Sequence, residues 1–433
     1  MNTTQERARK IRAATTTAAG IAVAALLAGC AGGAGGGGNG GGSGSGDGFA
    51  YGASQDEVNA AIADLEPVTI TFQSGSASEL VSSGEQVHEF VELVEERSNG
   101  QITVDVAWGM SIAGYTEAVD ALADGRVDVS YHLLGYEPQR FPEATDIGTS
   151  IASVGFSPLV GEMTAYAVAS DLAWNNEAHM QRFEEEGIMP VAPLIASGQY
   201  SLNCSNPVTT LEEFQGKQVR AGTVAQGSTV TELGAVPVSM EFTEVFEAMQ
   251  RGTVDCDLSP MSAKDQTGVY EAAPHLAITT EANFPRFPAS YLAGTNVMNM
   301  PLAYQQIIFD SAASMLLAGD VQGYVNSNAR HVEDIHSVDG SITEFDDEFQ
   351  QVMGDYVGVL QQEAIDRGTV PEDTPARIDE LEQEWQQKIA DLGYEDGGDM
   401  TTANEWVDRD LDYDPFAWAV FEEAGPLDHR PGN

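Results

Sequence analysis

The chain has 433 residues, 42% of them hydrophobic, which suffices for a large core and more than one compact domain. It carries 67 acidic and 19 basic residues, a formal charge of −48. Because such a field repels phosphate backbones and anionic lipid headgroups, the composition argues against nucleic-acid binding. A solvated acidic surface accounts for most of the charge, so any site for an anion must hold its own local positive charge.

Residues 1–30 are predicted to be an export signal, because basic residues lead into an apolar run that is too short to span a bilayer. The run ends in Leu-Ala-Gly-Cys30, which resembles the lipobox of bacterial lipoproteins and predicts a lipid on Cys30. The alternative is an ordinary signal peptide with an incidental cysteine. Residues 31–66 are predicted to be a Gly/Ser-rich flexible tether. No later segment is apolar enough to span, so this lipid would be the only membrane attachment.

The folded body is predicted to begin near residue 67 with a βαβ unit. Val68, Ile70 and Phe72 alternate as in a strand, and a second alternating run follows at residues 102–108. Between them lies a helical pattern that ends at Asn99-Gly100. This order predicts a parallel sheet with helices on its faces, an α/β fold.

An internal repeat follows. Residues 115–128 match residues 242–255 without a gap, with the same aromatic, Thr, Glu, Ala, Gly, Val and Asp positions. Each copy predicts a capped amphipathic helix, a glycine that ends it and a buried strand. Chance similarity of two ordinary αβ units is one interpretation. The other is a bilobed, periplasmic-binding-protein-like fold, in which the two matching corners face one cleft.

Helical patterns dominate after residue 301, and residues 304–335, 347–367 and 376–392 are predicted to be helices bracing the two lobes. Lobe I is expected at residues 67–197, completed by about 286–325. Lobe II is expected at 198–285, completed by about 326–433. A separate C-terminal helical domain is the alternative.

The two cysteines beyond the leader, Cys204 and Cys256, can form a disulfide in an exported protein or remain buried thiols. The histidines are scattered without metal-ligand spacing, so neither a metal nor another cofactor is predicted. The chain has no nucleophile elbow, no dinucleotide fingerprint after a strand and no phosphate-loop lysine. We therefore expect a binding protein and not an enzyme.

Several stretches occur in the order found in one protein family: residues 125–129, 140–143, 211–220 (Leu-Glu-Glu-Phe-Gln-Gly-Lys-Gln-Val-Arg), 233–255 and 268–273. From Val68 to about Ile278 the chain thus resembles the solute-binding proteins of tripartite ATP-independent periplasmic (TRAP) transporters, the DctP-like family. The resemblance implies two α/β lobes joined by hinge strands and a long helix, closing on a carboxylate.

In that family the arginine that ends the Gly-Lys-x-x-Arg segment binds the ligand carboxylate, and here this residue is Arg220. A guanidinium matches a carboxylate in a planar, bidentate way. A surface arginine paired with an acid is the alternative. Where many members carry a second arginine and an asparagine, this chain has Tyr200 and Ser259. Both are uncharged, which favours a monocarboxylate or a weakly anionic ligand.

Five more residues are cleft candidates by position. Phe242 lies where the family places an aromatic against the ligand, and His132 lies at a strand end where ligand contacts occur in the family. Core packing and a buried structural histidine are their respective alternatives. Gln73 and Ser74, in the first βα loop, can donate hydrogen bonds. Trp108 ends a strand and either stacks on the ligand or is simply half-buried.

The expected function follows from this resemblance. The protein would sit on the outer face of the cytoplasmic membrane, capture a small organic acid and deliver it to integral-membrane transporter subunits. An ABC-type substrate-binding lipoprotein for a small polar solute is the alternative.

Overall fold

The computed structural model describes residues 47–433 except 77, 80–81, 197, 241–243 and 313–316. Within these residues the strands form two sheets. Sheet A has the order β2 (Ile102–Ala107), β1 (Val68–Gln73), β3 (Val129–His132), β10 (Pro288–Ala293), β4 (Met189–Ala196). Sheet B has the order β11 (Ser341–Glu344), β9 (His275–Ile278), β5 (Tyr200–Cys204), β8 (Cys256–Pro260), β6 (Gln218–Arg220), β7 (Val236–Val238). The bilobed α/β prediction is confirmed.

Helices cover the sheets and link them. They are α1 (Gln55–Ile62), α2 (Ser82–Arg97), α3 (Ala118–Ala123), α4 (Pro142–Ser150), α5 (Val160–Trp174), α6 (Glu177–Glu185), α7 (Leu211–Phe214), α8 (Val224–Glu232), α9 (Val245–Gln250), α10 (Met261–Thr267), α11 (Thr295–Met298), α12 (Leu302–Ser311), α13 (Leu317–Ser337), α14 (Asp347–Arg367), α15 (Thr374–Asp391), α16 (Ala403–Trp406) and α17 (Asp414–Glu423). None of the described helices has the length and apolar character needed to cross a membrane.

Each sheet contains one antiparallel strand, and that strand is the one by which the chain arrives from the other sheet. The chain passes from β4 in sheet A to β5 in sheet B, and returns from β9 to β10. β5 runs against both β8 and β9, and β10 runs against both β3 and β4. A chain that crosses directly enters the second sheet at the strand ends that face the first sheet. The strand that follows the crossing therefore runs antiparallel to its neighbours. The carboxyl ends of the parallel strands therefore face each other across the interlobe cleft.

Two long helices brace the lobes. α13 packs against α2 and α5 of lobe I and against α10 of lobe II. α14 packs against α4 of lobe I and α8 of lobe II. Its bounds coincide with the predicted helix at residues 347–367. A helix that contacts both lobes links their relative positions to its own packing.

The amino-terminal boundary of the body differs from the prediction. Residues 47–66 are not tether: Ser54 and Glu57 form a capping box for α1, which buries Val58 and Ile62 in the core of lobe I. Arg430 also donates a hydrogen bond to the Phe49 carbonyl, 3.0 Å away. The Ser-x-x-Glu spacing before an apolar pair was the available sequence signal.

The carboxyl-terminal assignment is also corrected. Most of the region expected to complete lobe II instead joins the core of lobe I, through Ile378 and Trp385 of α15 and Phe416 of α17. Met400 does pack with lobe II residues such as Met261. Helical periodicity identifies an apolar face but not the surface that the face will cover, so the partner lobe could not be read from it. The region forms no separate helical domain, because its side chains share the core of lobe I.

Candidate functional site

The repeated segments form the same corner in both lobes. After α3 and Gly125, the Asp128 backbone N–H donates to the Thr71 carbonyl on β1 (3.2 Å), and its Oδ2 accepts from the Thr71 N–H (2.7 Å). After α9 and Gly252, Asp255 makes the same two bonds to Gln218 at the start of β6 (2.7 and 2.8 Å). Each repeat aspartate thus locks its strand to the neighbouring parallel strand.

The lock fixes which residues meet at the strand ends. In lobe I, Gln73 on β1 pairs with Ser130 on β3; in lobe II, Arg220 on β6 pairs with Asp257 on β8. Both pairs lie where parallel strands run toward the interlobe cleft. The two lobes therefore present equivalent positions with different chemistry.

The side chains of the lobe I pair are engaged in hydrogen bonds within lobe I. Gln73 is fully buried; its Oε1 accepts from the backbone N–H groups of Ile112 (3.0 Å) and Ala113 (2.9 Å), and its Nε2 donates to Ser130 Oγ (3.3 Å). Ser74 Oγ accepts from the Ser76 N–H at 3.1 Å. These polar groups hold the loops of lobe I, so their placement does not support the ligand contacts suggested by the sequence.

The lobe II pair carries charge. Arg220 is 8% exposed, its Nε donates to the Met240 carbonyl (3.4 Å) and its NH1 donates to the Leu258 carbonyl (3.2 Å). Asp257 is fully buried with Oδ1 4.0 Å from Arg220 NH1, and Oδ2 accepts from Ser259 Oγ at 2.6 Å. The Leu258 carbonyl on β8 and the Met240 carbonyl just after β7 orient the guanidinium, as a binding group requires.

One face of sheet B carries a buried polar layer around this pair. Asp257 lies opposite Asn203, and Ser259 lies opposite Ser201, so all four side chains share a face. We call the following set the polar layer: Ser201, Asn203, Arg220, Asp257, Ser259, Lys264 from α10 and His331 from α13. The opposite face is apolar and packs Leu202, Val219 and Leu258 against aromatic rings from α7 and α14.

Lys264 is the buried amine of the polar layer. Its Nζ donates to the carbonyl (2.8 Å) and hydroxyl (2.9 Å) of Ser201. Burial lowers the pKa of Lys264 to about 7, while the neighbouring Asp257 carboxylate raises it and Arg220 lowers it further. Burial, with a contribution from Lys264, also holds the pKa of His331 well below its usual range. The pKa values of Lys264 and His331 therefore depend on their burial and on the charges of their neighbours in this layer.

Tyr200 lies at the cleft edge of β5, opposite Pro260 and 4% exposed. It packs in the core of lobe II, where Leu133 of lobe I also makes contact. Cys204, at the far end of the same strand, lies opposite Cys256, and the two form a disulfide. Of the two alternatives for the cysteines, the structure has the bonded one.

Aromatic side chains form a series of ring contacts that begins in lobe I and ends at Phe287, which packs in the core of lobe II. We call Tyr115, Tyr131, Tyr136 and Phe287 the aromatic wall; successive ring centroids are 6.4, 5.7 and 5.0 Å apart in the order 131–115–136–287. Burial raises the pKa of Tyr131 well above its usual value, with Tyr115 and Tyr200 among the contributing neighbours. A Cβ on Gly75 would lie 2.6 Å from the Tyr131 ring, so only glycine fits the first βα loop there.

The remaining candidates lie elsewhere or outside the described residues. His132 is fully buried with Nε2 3.2 Å from Glu137 Oε2, and half-buried Trp108 packs on lobe I with its ring 5.9 Å from His88. Both placements match the structural alternatives. Phe242 and Cys30 lie outside the described residues. No group of metal-ligating side chains occurs in the part of the chain that the structure describes.

Sequence reasoning missed Asp257, Lys264 and the aromatic wall apart from Tyr115, which opens the first repeat as Phe242 opens the second. Asp257 lies two residues after the repeat aspartate, where the first copy has Ser130, so the divergence between the copies was the available signal. Lys264 offered no such signal. Its partner Ser201 is 63 residues away in sequence and reaches it only through the pairing of β5 with β8.

Two α/β lobes with facing strand ends, two direct crossings and a buried arginine at one strand end define a bilobed ligand-binding protein. Residues 74–366 match the bacterial extracellular solute-binding protein family 7, DctP, and the chain belongs to this family. The resemblance found in the sequence is confirmed.

Individual relatives are distant. A solute-binding protein of Verminephrobacter eiseniae (strain EF01-2) is 25% identical over 53% of this chain and 66% of its own length. Across three curated relatives, the chain spans between 32% and 66% of their length. The fold is similar to that of the sugar acid binding protein DctPAm from Advenella mimigardefordensis with galactonate (18% identical, TM-score 0.60, 74% of this chain, 100% of that one). It is also similar to a TRAP solute-binding protein from Rhodoferax ferrireducens T118 with benzoate (18% identical, TM-score 0.62, 75% and 99%).

Proposed function

We propose that this protein captures a small monocarboxylate between its lobes and delivers it to the membrane subunits of a TRAP transporter. The observation that carries the proposal is Arg220, a nearly buried guanidinium held by two backbone carbonyls at a strand end facing the cleft. In a molecule of charge −48, an organic anion needs such a local cation.

The residues at two family positions support a single carboxylate on the ligand. Tyr200 and Ser259 take the places where many family members have further polar or cationic groups, and neither adds charge. The galactonate and benzoate carried by the two structural relatives are both monocarboxylates. The aromatic wall supplies an apolar surface for the rest of the ligand.

The mechanism is closure around the ligand. The carboxylate pairs with Arg220 in lobe II while the ligand's body contacts lobe I. A ligand that touches both lobes favours the closed state, because only that state makes both sets of contacts. The ligand leaves chemically unchanged, so the protein is proposed to be a carrier and not an enzyme.

The test is a calorimetric and thermal-shift screen of the mature protein against small monocarboxylates. A ligand that binds only the native state raises the melting temperature. Arg220→Met should weaken binding of the best acid by about 2–5 kcal/mol, the cost of removing one partner of a buried charge pair. Because that variant leaves Asp257 uncompensated, Arg220→Lys serves as a second one; it keeps the charge, loses the bidentate fork and should cost roughly 1–2 kcal/mol.

Arg126→Met is the matched control, since Arg126 pairs with Asp124 on the surface of lobe I at 2.9 Å with about half of each side chain exposed. Its affinity should equal that of the unaltered protein. Unchanged binding in both Arg220 variants would remove the guanidinium from the site.

The proposed anchor has its own test. We propose that Cys30 carries a lipid that holds the protein at the outer face of the cytoplasmic membrane, on the strength of the Leu-Ala-Gly-Cys30 motif. Cys30→Ser should move the protein from the membrane fraction to the soluble fraction. Retention of the variant in the membrane fraction would refute lipidation at this residue.

A further inference from the structure

The two matching corners provide an internal control for Asp257. Residues 128 and 255 hold equivalent places, so Ser130 in lobe I corresponds to Asp257 in lobe II. Lobe I builds the same lock, the same strand pairing and the same buried environment with a serine. The backbone plan of the corner therefore does not require a carboxylate, and Asp257 instead accompanies the buried cations Arg220 and Lys264.

Among the residues that the structure describes, only one of the two carboxylate oxygens of Asp257 accepts a hydrogen bond. Ser259 Oγ donates to Oδ2 at 2.6 Å, whereas Oδ1 receives no hydrogen bond from the described residues. Arg220 NH1 is 4.0 Å from Oδ1, beyond hydrogen-bonding distance, and donates instead to the Leu258 carbonyl. A buried carboxylate oxygen without a hydrogen-bond donor is costly, and at a strand end that faces the cleft a ligand can supply that donor.

The position of this oxygen relates it to the ligand. Arg220 NH1 lies 4.0 Å from Asp257 Oδ1, so an acid that pairs with the guanidinium would lie close to this oxygen. The part of the ligand nearest to its own carboxylate is the adjoining carbon. A donor on that carbon would lie on the side of Asp257 Oδ1.

We propose that Asp257 Oδ1 accepts a hydrogen bond from an ammonium group on the carbon next to the ligand's carboxylate, so that the site takes 2-amino acids. This inference rests on the proposed function, since it assigns the ligand class of the same site. A zwitterion leaves the charge balance among Arg220, Asp257 and Lys264 unchanged, whereas a plain acid adds a buried negative charge.

The test uses matched acids that differ only at this carbon. One set is butanoate, 2-hydroxybutanoate and 2-aminobutanoate; the other is 3-phenylpropanoate, 3-phenyllactate and phenylalanine, measured by calorimetry. In at least one set the amino acid should bind roughly tenfold or more tightly than the plain acid, the effect of one charged hydrogen bond. In Asp257→Ser, which installs the lobe I residue, that advantage should fall to about twofold or less.

Asp257→Asn is the second variant, because it keeps the shape if the serine variant does not fold. It should lower affinity for the amino acid and raise affinity for the plain acid, a reversal that a purely structural role would not produce. Plain acids that bind through Arg220 as tightly as the amino acids would overturn the inference and leave the proposed function standing. A hydroxy acid that binds more tightly than the amino acid, or no binding by any member at millimolar concentration, would also overturn it.

Discussion

The two repeated corners use one backbone plan for two purposes. In lobe I the strand-end pair is Gln73 and Ser130, neutral and engaged by surrounding loop groups. In lobe II the equivalent pair is Arg220 and Asp257, charged and enclosed in the polar layer. Each is secured by the same aspartate lock, to Thr71 in one lobe and Gln218 in the other.

The comparison separates what the fold needs from what binding needs. Features present in both corners, such as the lock and the glycine after the helix, maintain the architecture. Features present in one corner alone, such as the guanidinium and its carboxylate, are the candidates for function. The following predictions test this division.

The largest expected effect concerns the disulfide, which has no counterpart in lobe I because Val129 lies at the position equivalent to Cys256. Replacing both Cys204 and Cys256 by serine should lower the free energy of unfolding by about 4 kcal/mol, from the chain entropy of a link across 52 residues. Urea unfolding measures this. A change below 1 kcal/mol would mean that lobe II gains little from the bond.

Lys264 should make stability depend on pH. The amine loses its proton near pH 7 in the native state but near 10.5 when unfolded, so between these values the unfolded state binds more protons. Stability of the unaltered protein relative to Lys264→Met should therefore rise by about 2–3 kcal/mol from pH 7 to pH 9. Asp257, Arg220 and His331 are the charged and titratable neighbours, and all remain in the variant. A flat difference across this range would contradict a depressed lysine pKa.

Gln73→Leu should cost stability and not ligand selectivity. The change leaves the partly buried N–H of Ile112 and the buried N–H of Ala113 without their acceptor, a loss of about 2 kcal/mol. Thermal unfolding reports the loss. The ratio of affinities within each matched acid set should stay unchanged, and a shift in that ratio would return Gln73 to the ligand site.

The smallest effect is expected at the locks. Asp128→Asn and Asp255→Asn keep an acceptor oxygen but remove its charge, so each should cost about 1 kcal/mol. Chemical denaturation of both variants compares them directly. Costs that differ by more than threefold would show that the two corners are not energetically equivalent.

Much of the architecture could be predicted from local sequence. Alternation of Ile70 and Phe72 identified β1, periodicity identified α14, and the repeat identified both corners. Arg220 was found through the family resemblance.

The content of the polar layer could not be predicted in this way. Lys264, Ser201 and Asp257 meet only through the register of β5, β8 and α10, which no local pattern specifies. Likewise, the spacing of Ile378 and Trp385 predicts an apolar face on α15 but does not indicate that lobe I covers this face. Such contacts depend on strand register and on packing between residues far apart in the chain, which local patterns in a single sequence do not specify.

The hydrogen bonds that fix the backbone of Phe49 have a mechanical consequence. Arg430 holds the Phe49 carbonyl and pairs with Asp310, while Phe49 N–H donates to Gln306, so the chain upstream of residue 47 departs from lobe I. Any force transmitted through that upstream chain is taken up by lobe I. If the protein closes around a ligand as proposed, lobe II, which carries Arg220, is then the half expected to move.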